Sequence, residues 1–319
     1  MAGEILEIEN LDVHFPIHIG TVKAVNDFTL GLQRGEVMGL VGESGCGKST
    51  LGFSILRLLR TPGLIAGGRI LYHGRDIVDM SEAEILALRG THISMIFQDP
   101  LTSLNPLFKI GTQFVETIKT HEPHVKRKDA LARAAAMLEN LGISPDRLGE
   151  YPHQMSGGMR QRIMIGLGLV LDPDLLIADE PTTALDVIVE AQFLDLLKEL
   201  QAKFDLTILL ISHNLGVVAQ LSDRLTVMYG GRVVETGTAA EVFAEPKHPY
   251  TQGLLASVPN IRLEQPRLAT MPGAPPDLVD PPTGCVFNPR CPRVMDICRR
   301  EPPERFRVNG RLAACWLYR

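Results

Sequence analysis

The chain has 319 residues, with 32 Lys and Arg against 37 Asp and Glu, so it is long enough for a large core in about two domains and carries a net charge of −5. That acidic balance speaks against a nucleic-acid polyanion as partner. No segment is expected to span a bilayer alone, because the most apolar stretch, IMIGLGLVLDPDLLIAD, is interrupted by Asp172, Pro173 and Asp174.

The first residues, MAGEILEIEN, alternate like a strand and show neither the basic flank nor the apolar run of a secretion signal. A cytosolic protein is expected, docked on a membrane protein if it works at a membrane. EILEIENLDVHF, KAVNDFTLGL and EVMGLV read as strands up to residue 41, the last of them short and buried. VGESGCGKSTLG follows, Val41 to Gly52, and meets G-x-x-x-x-G-K-[ST] at Gly42, Gly47, Lys48 and Ser49. An apolar-periodic helix should continue from it to about Leu59. Glycines let such a loop turn successive N–H groups inward, so Gly42, Ser44, Gly45, Cys46 and Gly47 would line an anion nest backed by the positive end of the helix. Lys48 would reach the β- and γ-phosphates, Ser49 would place its hydroxyl on Mg²⁺, and Thr50 would donate to an inner phosphate. A nucleoside triphosphate is the expected ligand. The bland alternative is a glycine-rich turn with an incidental lysine.

RILYHG and HISMIF supply further short strands, and Gln98 in MIFQDP closes the second, within reach of Mg²⁺ or an attacking water. From about Gly111 to Val170 apolar residues recur at three and four spacing, which predicts a helical insert within an α/β domain. Lys126-Arg127-Lys128 reads as a solvated helix start. In MSGGMRQR, two glycines after Ser156 open an apolar helix and make a second anion site. One nucleotide has no use for two such grips from one chain. Two copies facing head to tail would lay Ser156, Gly157 and Gly158 over the nucleotide held by the other copy. LLIADEP then ends a hydrophobic strand with Asp179, suited to organise Mg²⁺, and Glu180, suited to orient or deprotonate a water. LTILLISHN ends another strand with His213, either a γ-phosphate sensor or a strand-end cap. Strands alternating with helices predict a mainly parallel, helix-covered sheet.

Past Val258 the composition changes: eleven of the 22 prolines and four of the five cysteines lie between Pro259 and Arg319. A separate loop-rich module is expected there, remote from the phosphate loop. Cys285, Cys291, Cys298 and Cys315, spaced C-x5-C-x6-C-x16-C, sit in a stretch too poor in periodic apolar residues to form its own core. Disulfides are disfavoured in a reducing cytosol, and zinc usually shows a tight cysteine pair that is missing here. Four thiolates on long loops suit a 4Fe-4S cluster, with zinc and unliganded thiols as the alternatives. Cys46 is read as structural.

The Walker A loop, Gln98, SGGMRQR, ADEPTTALD and His213 together resemble the ATP-binding cassette (ABC) ATPases over roughly residues 4–245. The signature departs from the commonest form, Met155 and Met159 replacing leucine and glutamine, but Ser156, Gly157 and Gly158 are intact. The resemblance implies ATP with Mg²⁺ sandwiched between two cassettes, Asp186 communicating across the dimer, and an aromatic near the first strand stacking on adenine. Phe15 is the best match, a core-strand role being the alternative. FQDPLTSLNPLF, ADEPTTALDVIVEAQ and HPYTQGLLASVP look like the D-type ATPase of dipeptide and oligopeptide permeases, over nearly the whole chain. That resemblance implies a P-loop NTPase core at 1–245, with a helical subdomain at about 99–170 whose part from Asp99 to Leu148 receives the permeases' coupling helices. A C-terminal module at 246–319 would hold a 4Fe-4S cluster. It further implies a second ABC ATPase subunit, an F-type paralogue; two transmembrane permease subunits; an extracytoplasmic substrate-binding protein; and a place on the cytoplasmic face of the inner membrane. ATP hydrolysis would power uptake of di- and oligopeptides. A similar importer for nickel or another small solute is one alternative. A non-transport ABC ATPase acting on DNA or ribosomes is another, though such proteins carry long coiled-coil inserts or two cassettes in one chain.

Overall fold

The computed structural model describes residues 3–97, 104–183, 186–257 and 271–319. The chain divides into two compact units, one of Met1–Asp79 with Leu210–Arg319 and one of Met80–Leu209.

The first unit begins with a long antiparallel hairpin, β1 (Glu4–Ile17) and β2 (Gly20–Gln33). Leu6 and Ile8 are buried on one parity of β1, next to buried Ile5, and Leu11 and Val13 are buried on the other. A one-residue slip would turn the second half inside out, and a register shift between Ile8 and Leu11, with Asn10 at φ 46°, absorbs the extra residue as a bulge. β4 (Leu64–Tyr72) and β5 (Arg75–Asp76) complete this sheet in the order β2-β1-β4-β5. The five residues of β3 (Val37–Val41) are all buried, as a strand covered on both faces must be, and β3 leads directly to α1 (Lys48–Ile55). β3 runs parallel to β9 (Arg224–Tyr229), and β9 pairs antiparallel with β10 (Arg232–Thr238).

The second unit holds α2 (Glu82–Leu88), opened by a capping box between Ser81 and Glu84, and the parallel pair β6 (Ile93–Ile96) and β7 (Leu175–Asp179). Helices fill its middle. α3 (Ile110–His121) buries Ile110, Phe114, Val115 and Ile118, while α4 (Arg127–Asn140) buries Ala130, Ala134, Met137 and Leu138. α5 (Gly157–Leu169) presents Gly166 to this pair, where a Cβ would fall 2.6 Å from Leu141 Cδ1. α6 (Val187–Phe204) follows β7, and β8 (Thr207–Ser212) carries the chain back to the first unit. Lys126 caps α4, so the basic run does start a helix. Gln98 and the beginning of the expected insert, from Asp99, lie outside the described residues.

Two expectations need correction. The strands are not mainly parallel throughout, because β1, β2, β4 and β5 form an antiparallel sheet of their own; the alternating polar face of β1 and β2 is the signature of that arrangement. The stretch after Gly273 is rich in loops but not separate: β12 (Arg311–Ala313) pairs with β10, and β11 (Phe306–Val308) pairs with β12. Three-residue strands are too short to show a period.

After β8 come α7 (Leu215–Leu221), α8 (Ala239–Ala244) and α9 (Pro249–Ala256). Fully buried Glu235 accepts the Lys247 and His248 N–H groups, both at 2.8 Å, and sets the entry to α9. His248 caps that helix: its Nδ1 accepts the Tyr250 N–H at 3.0 Å, and its ring bonds to the Ala314 backbone. Burial pushes the imidazole pKa down to about 3, against a smaller opposing effect of the Ala314 bond. The unfolded chain therefore binds a proton between about pH 6.5 and 3 that the folded chain refuses, so stability falls as pH falls through that window. Acidification from pH 7 to pH 5 should cost about 2 kcal/mol through this group alone. Urea unfolding at the two pH values checks it: a His248→Asn variant, which keeps a capping side chain, should lose that share of the pH dependence.

Candidate nucleotide site

The residues between β3 and α1 form a loop that only glycine allows at two points. A Cβ at Gly42 would lie 2.1 Å from Met228 O, and one at Gly47, whose φ is 104°, would lie 2.1 Å from Ala24 O. Lys48 is buried and folds inward, its Nζ donating to Gly42 O at 2.8 Å and Glu43 O at 3.0 Å. Gly47 opens α1 with no side-chain cap hydrogen bond, and a helix N-terminus opened in this way suits an anion. Ser44 and Gly45 form the exposed crest, with Ser49 and Thr50 half-buried on the first turn. The Cys46 thiol is buried, and burial raises its pKa despite the opposing charge of Lys48. It is a packing residue, as its sequence context suggests.

Phe15 pairs with Val22 across the hairpin, two residues before Ala24, and its ring lies where a Cβ on Gly63 would be 2.5 Å from Cε1. His213 follows β8 directly and is exposed. Both belong to the same unit as the loop.

The second unit contributes a separate set. Asp179 is the buried last residue of β7. Glu180 follows with φ 48°, a left-handed backbone that costs a non-glycine residue about 1 kcal/mol and that clusters at functional sites. Thr183 steadies it, Oγ1 donating to Glu180 Oε2 at 3.2 Å and the amide donating to Glu180 O at 3.2 Å. Ser156 caps α5, its Oγ accepting the Met159 N–H at 3.3 Å. Asp186 caps α6, accepting the Ile188 and Val189 N–H groups. Both helix openings face one cleft of about 560 Å³, lined also by Gly157, Gly158, Arg147 and Arg162. It is a polar recess in this unit, carrying Ser156, Gly157, Gly158 and Asp186 together, with Arg147 paired to Glu150 at 2.8 Å.

Among the described residues no group of three or more His, Cys, Asp or Glu could hold a single metal ion. Mg²⁺ needs no such group here, because it keeps mostly phosphate and water oxygens and takes one or two protein ligands. The four C-terminal cysteines are free thiols, and the Cys285 N–H donates to Cys298 O at 2.8 Å. Burial pushes Cys285 up to about 11, helped by the other three cysteines. Burial likewise raises Cys291 and Cys315, each also raised by Cys298. The thiols thus lie in one another's field, yet among the described residues they do not form a group that could hold a metal ion.

Sequence reasoning missed the residues that grip the phosphate loop from behind. Arg290, between Cys285 and Cys291, donates Nη1 to Glu43 Oε2 at 2.8 Å and Nη2 to Oε1 at 3.0 Å. The Tyr250 hydroxyl accepts the Glu43 N–H at 2.9 Å. The cysteine module is therefore not remote from the loop. The only sequence signals are an arginine amid the cysteines and a tyrosine in HPY, and neither shows its partner.

The chain is similar to known proteins over nearly its whole length. Residues 25–183 match the family model for the ABC transporter, and residues 234–298 match that for the oligopeptide/dipeptide transporter C-terminal region. The dipeptide transport ATP-binding protein DppD of Bacillus subtilis is 47% identical, over 98% of this chain and 95% of that protein. The oligopeptide transport ATP-binding protein OppD of Salmonella typhimurium is also 47% identical, over 99% of this chain and 94% of that one. Among solved structures, cbiO1 from Clostridium perfringens, part of the ABC transporter complex cbiONQ, aligns with TM-score 0.66 at 32% identity, covering 76% of this chain and 92% of that one.

Proposed function

Because this chain belongs to the ABC transporter family, in the branch with an oligopeptide/dipeptide C-terminal region, we infer that it is the ATP-hydrolysing subunit of an importer for di- and oligopeptides. One observation carries this reading: the likeness to peptide-transport ATP-binding proteins runs through the cassette and the C-terminal region alike. Transport implies membrane permeases and a substrate-binding protein. In the fuller proposal these are two permease subunits, an extracytoplasmic binding protein and a second ATPase subunit of F type. The chain would sit peripherally on the cytoplasmic face of the inner membrane; no described helix is long and apolar enough to cross one. Residues 1–245 would be the cassette, with its helical part at about 99–170, and 246–319 the C-terminal module.

In this reading ATP lies on Gly42, Ser44–Thr50 and Lys48, with Phe15 against adenine. Mg²⁺ on Ser49, Asp179 and Gln98 would neutralise phosphate charge. Glu180 takes the proton of the attacking water, and His213 contacts the γ-phosphate. Ser156, Gly157, Gly158 and Asp186 close over the nucleotide of the opposing cassette, which the exposed cleft on the second unit supports. Mass spectrometry of the detergent-solubilised complex with its binding protein tests the substrate. A bound di- or oligopeptide is expected; nickel in its place would overturn the peptide assignment.

The four cysteines would hold a 4Fe-4S cluster that folds the C-terminal segment, supported by their spacing and mutual field. Anaerobically prepared protein should be brown, absorbing broadly near roughly 400 nm from iron–thiolate ligation. Cys298→Ser should bleach it and leave residues 271–319 sensitive to protease, since binding energy there is folding energy. Stoichiometric zinc with negligible iron would overturn the cluster.

A further inference from the structure

Glu43, the residue after Gly42, has every polar group engaged. Its carbonyl accepts from Lys48 Nζ, its N–H donates to the Tyr250 hydroxyl, and its carboxylate meets Arg290 in a bidentate pair. The Arg290 side chain is only 6% exposed. The bidentate geometry makes the pair a strong charge-assisted one, and removing Arg290 would strand the Glu43 charge beside the loop.

Arg290 is itself fixed. Its Nε donates to Pro272 O at 2.9 Å, its Nη1 also donates to the Tyr229 hydroxyl at 3.2 Å, and its guanidinium lies 5.8 Å from the Tyr229 ring centre. Tyr229, Tyr250 and Phe287 pack ring on ring around it, with centroids 4.5–5.5 Å apart. Arg290 ends the short turn Asn288–Arg290, and that turn is pinned to cysteine backbone on both sides: Asn288 Nδ2 donates to Cys285 O at 2.8 Å, and the Cys291 N–H donates to Asn288 O at 3.4 Å.

We propose that Arg290 is a positioning residue of the nucleotide site, holding and neutralising Glu43 of the phosphate loop so that the order of the cysteine-bearing turn sets nucleotide affinity. Two effects act together. The clamp fixes the backbone of the residue that Lys48 contacts, and it cancels a carboxylate that would otherwise stand as a like charge in a loop built for a triphosphate. When the cysteine turn loosens, Arg290 withdraws and both effects are lost.

The inference rests on reading Gly42–Thr50 as the nucleotide loop. Titration of the full chain with a fluorescent ATP analogue and Mg²⁺ tests it. Arg290→Gln should bind about five- to tenfold more weakly, the lower range of energetic coupling between sites. The Glu43→Gln/Arg290→Gln double variant should recover the affinity of Glu43→Gln alone, because no charge is left to expose; a merely structural arginine would give a double variant as weak as Arg290→Gln or weaker. Arg290→Lys, which keeps the charge, should recover part of the loss. Asn288→Ala, which removes the side-chain bonds to Thr283 O and Cys285 O, should weaken binding in the native background and leave Arg290→Gln unchanged. In the assembled complex Arg290→Gln should raise KM for ATP and leave kcat as it was. Native-like affinity in Arg290→Gln, or no recovery in the double variant, would overturn the proposal. Failure of the native chain to bind the analogue would instead overturn the nucleotide reading itself.

Discussion

Replacing Glu180 by glutamine is expected to preserve ATP binding while slowing turnover by about 10²–10⁴, the range for a lost general base. The substitution keeps shape and removes the proton acceptor. Glu180 directly follows a strand whose last residue, Asp179, is buried, and it holds a φ of 48° that a glutamate adopts only when its surroundings impose it. Thr183 bonds both its carboxylate and its carbonyl, so the side chain is aimed before any nucleotide arrives. Glutamine can accept the Thr183 hydroxyl as well, and the backbone should stay as it is. Measured in the purified complex, near-normal hydrolysis would remove Glu180 from the chemistry.

A comparable loss, about 10²–10³, is expected when the recess proposed to cover the opposing nucleotide is spoiled, which is the usual cost of removing a preorganised donor at developing charge. Gly157→Asp is the informative change. A Cβ at Gly157 meets nothing within 4 Å, so the side chain fits, and a carboxylate in the first turn suits the helix itself. The same carboxylate would repel a triphosphate presented to α5. Nucleotide binding to the chain's own phosphate loop should persist while hydrolysis in the complex collapses. A diluted single chain should be as slow as the variant complex. Hydrolysis by dilute single chains at the rate of the whole transporter would contradict the two-cassette site.

The nucleotide loop was legible because its constraints are local. Buried β3, the glycines at 42 and 47 and the helix from Lys48 are neighbours in sequence, and each glycine answers a clash with a backbone oxygen. Ser156 was legible for a related reason, since it and the helix it opens are contiguous, whereas Asp186 was marked by the family resemblance and its capping of α6 was not foreseen. The helix after the loop ends at Ile55 and not near Leu59, an ordinary error of boundary. The clamp on Glu43 was hidden because 247 residues separate it from Arg290, and no periodicity links an isolated ion pair. The bulge at Asn10 was equally hidden; only the switch of buried parity from Leu6 and Ile8 to Leu11 and Val13 marks it. The cysteines were visible as a pattern, yet their setting beside the phosphate loop depends on β12 pairing with β10, through strands too short to announce themselves.

The most direct test of peptide import driven by this chain uses proteoliposomes containing it with the membrane permeases, the binding protein and the proposed second ATPase subunit, with ATP hydrolysis and uptake of a labelled dipeptide followed together. Peptide-loaded binding protein should stimulate hydrolysis, labelled peptide should accumulate inside, and both should vanish with Glu180→Gln. Hydrolysis indifferent to peptide, or uptake that survives Glu180→Gln, would contradict the account.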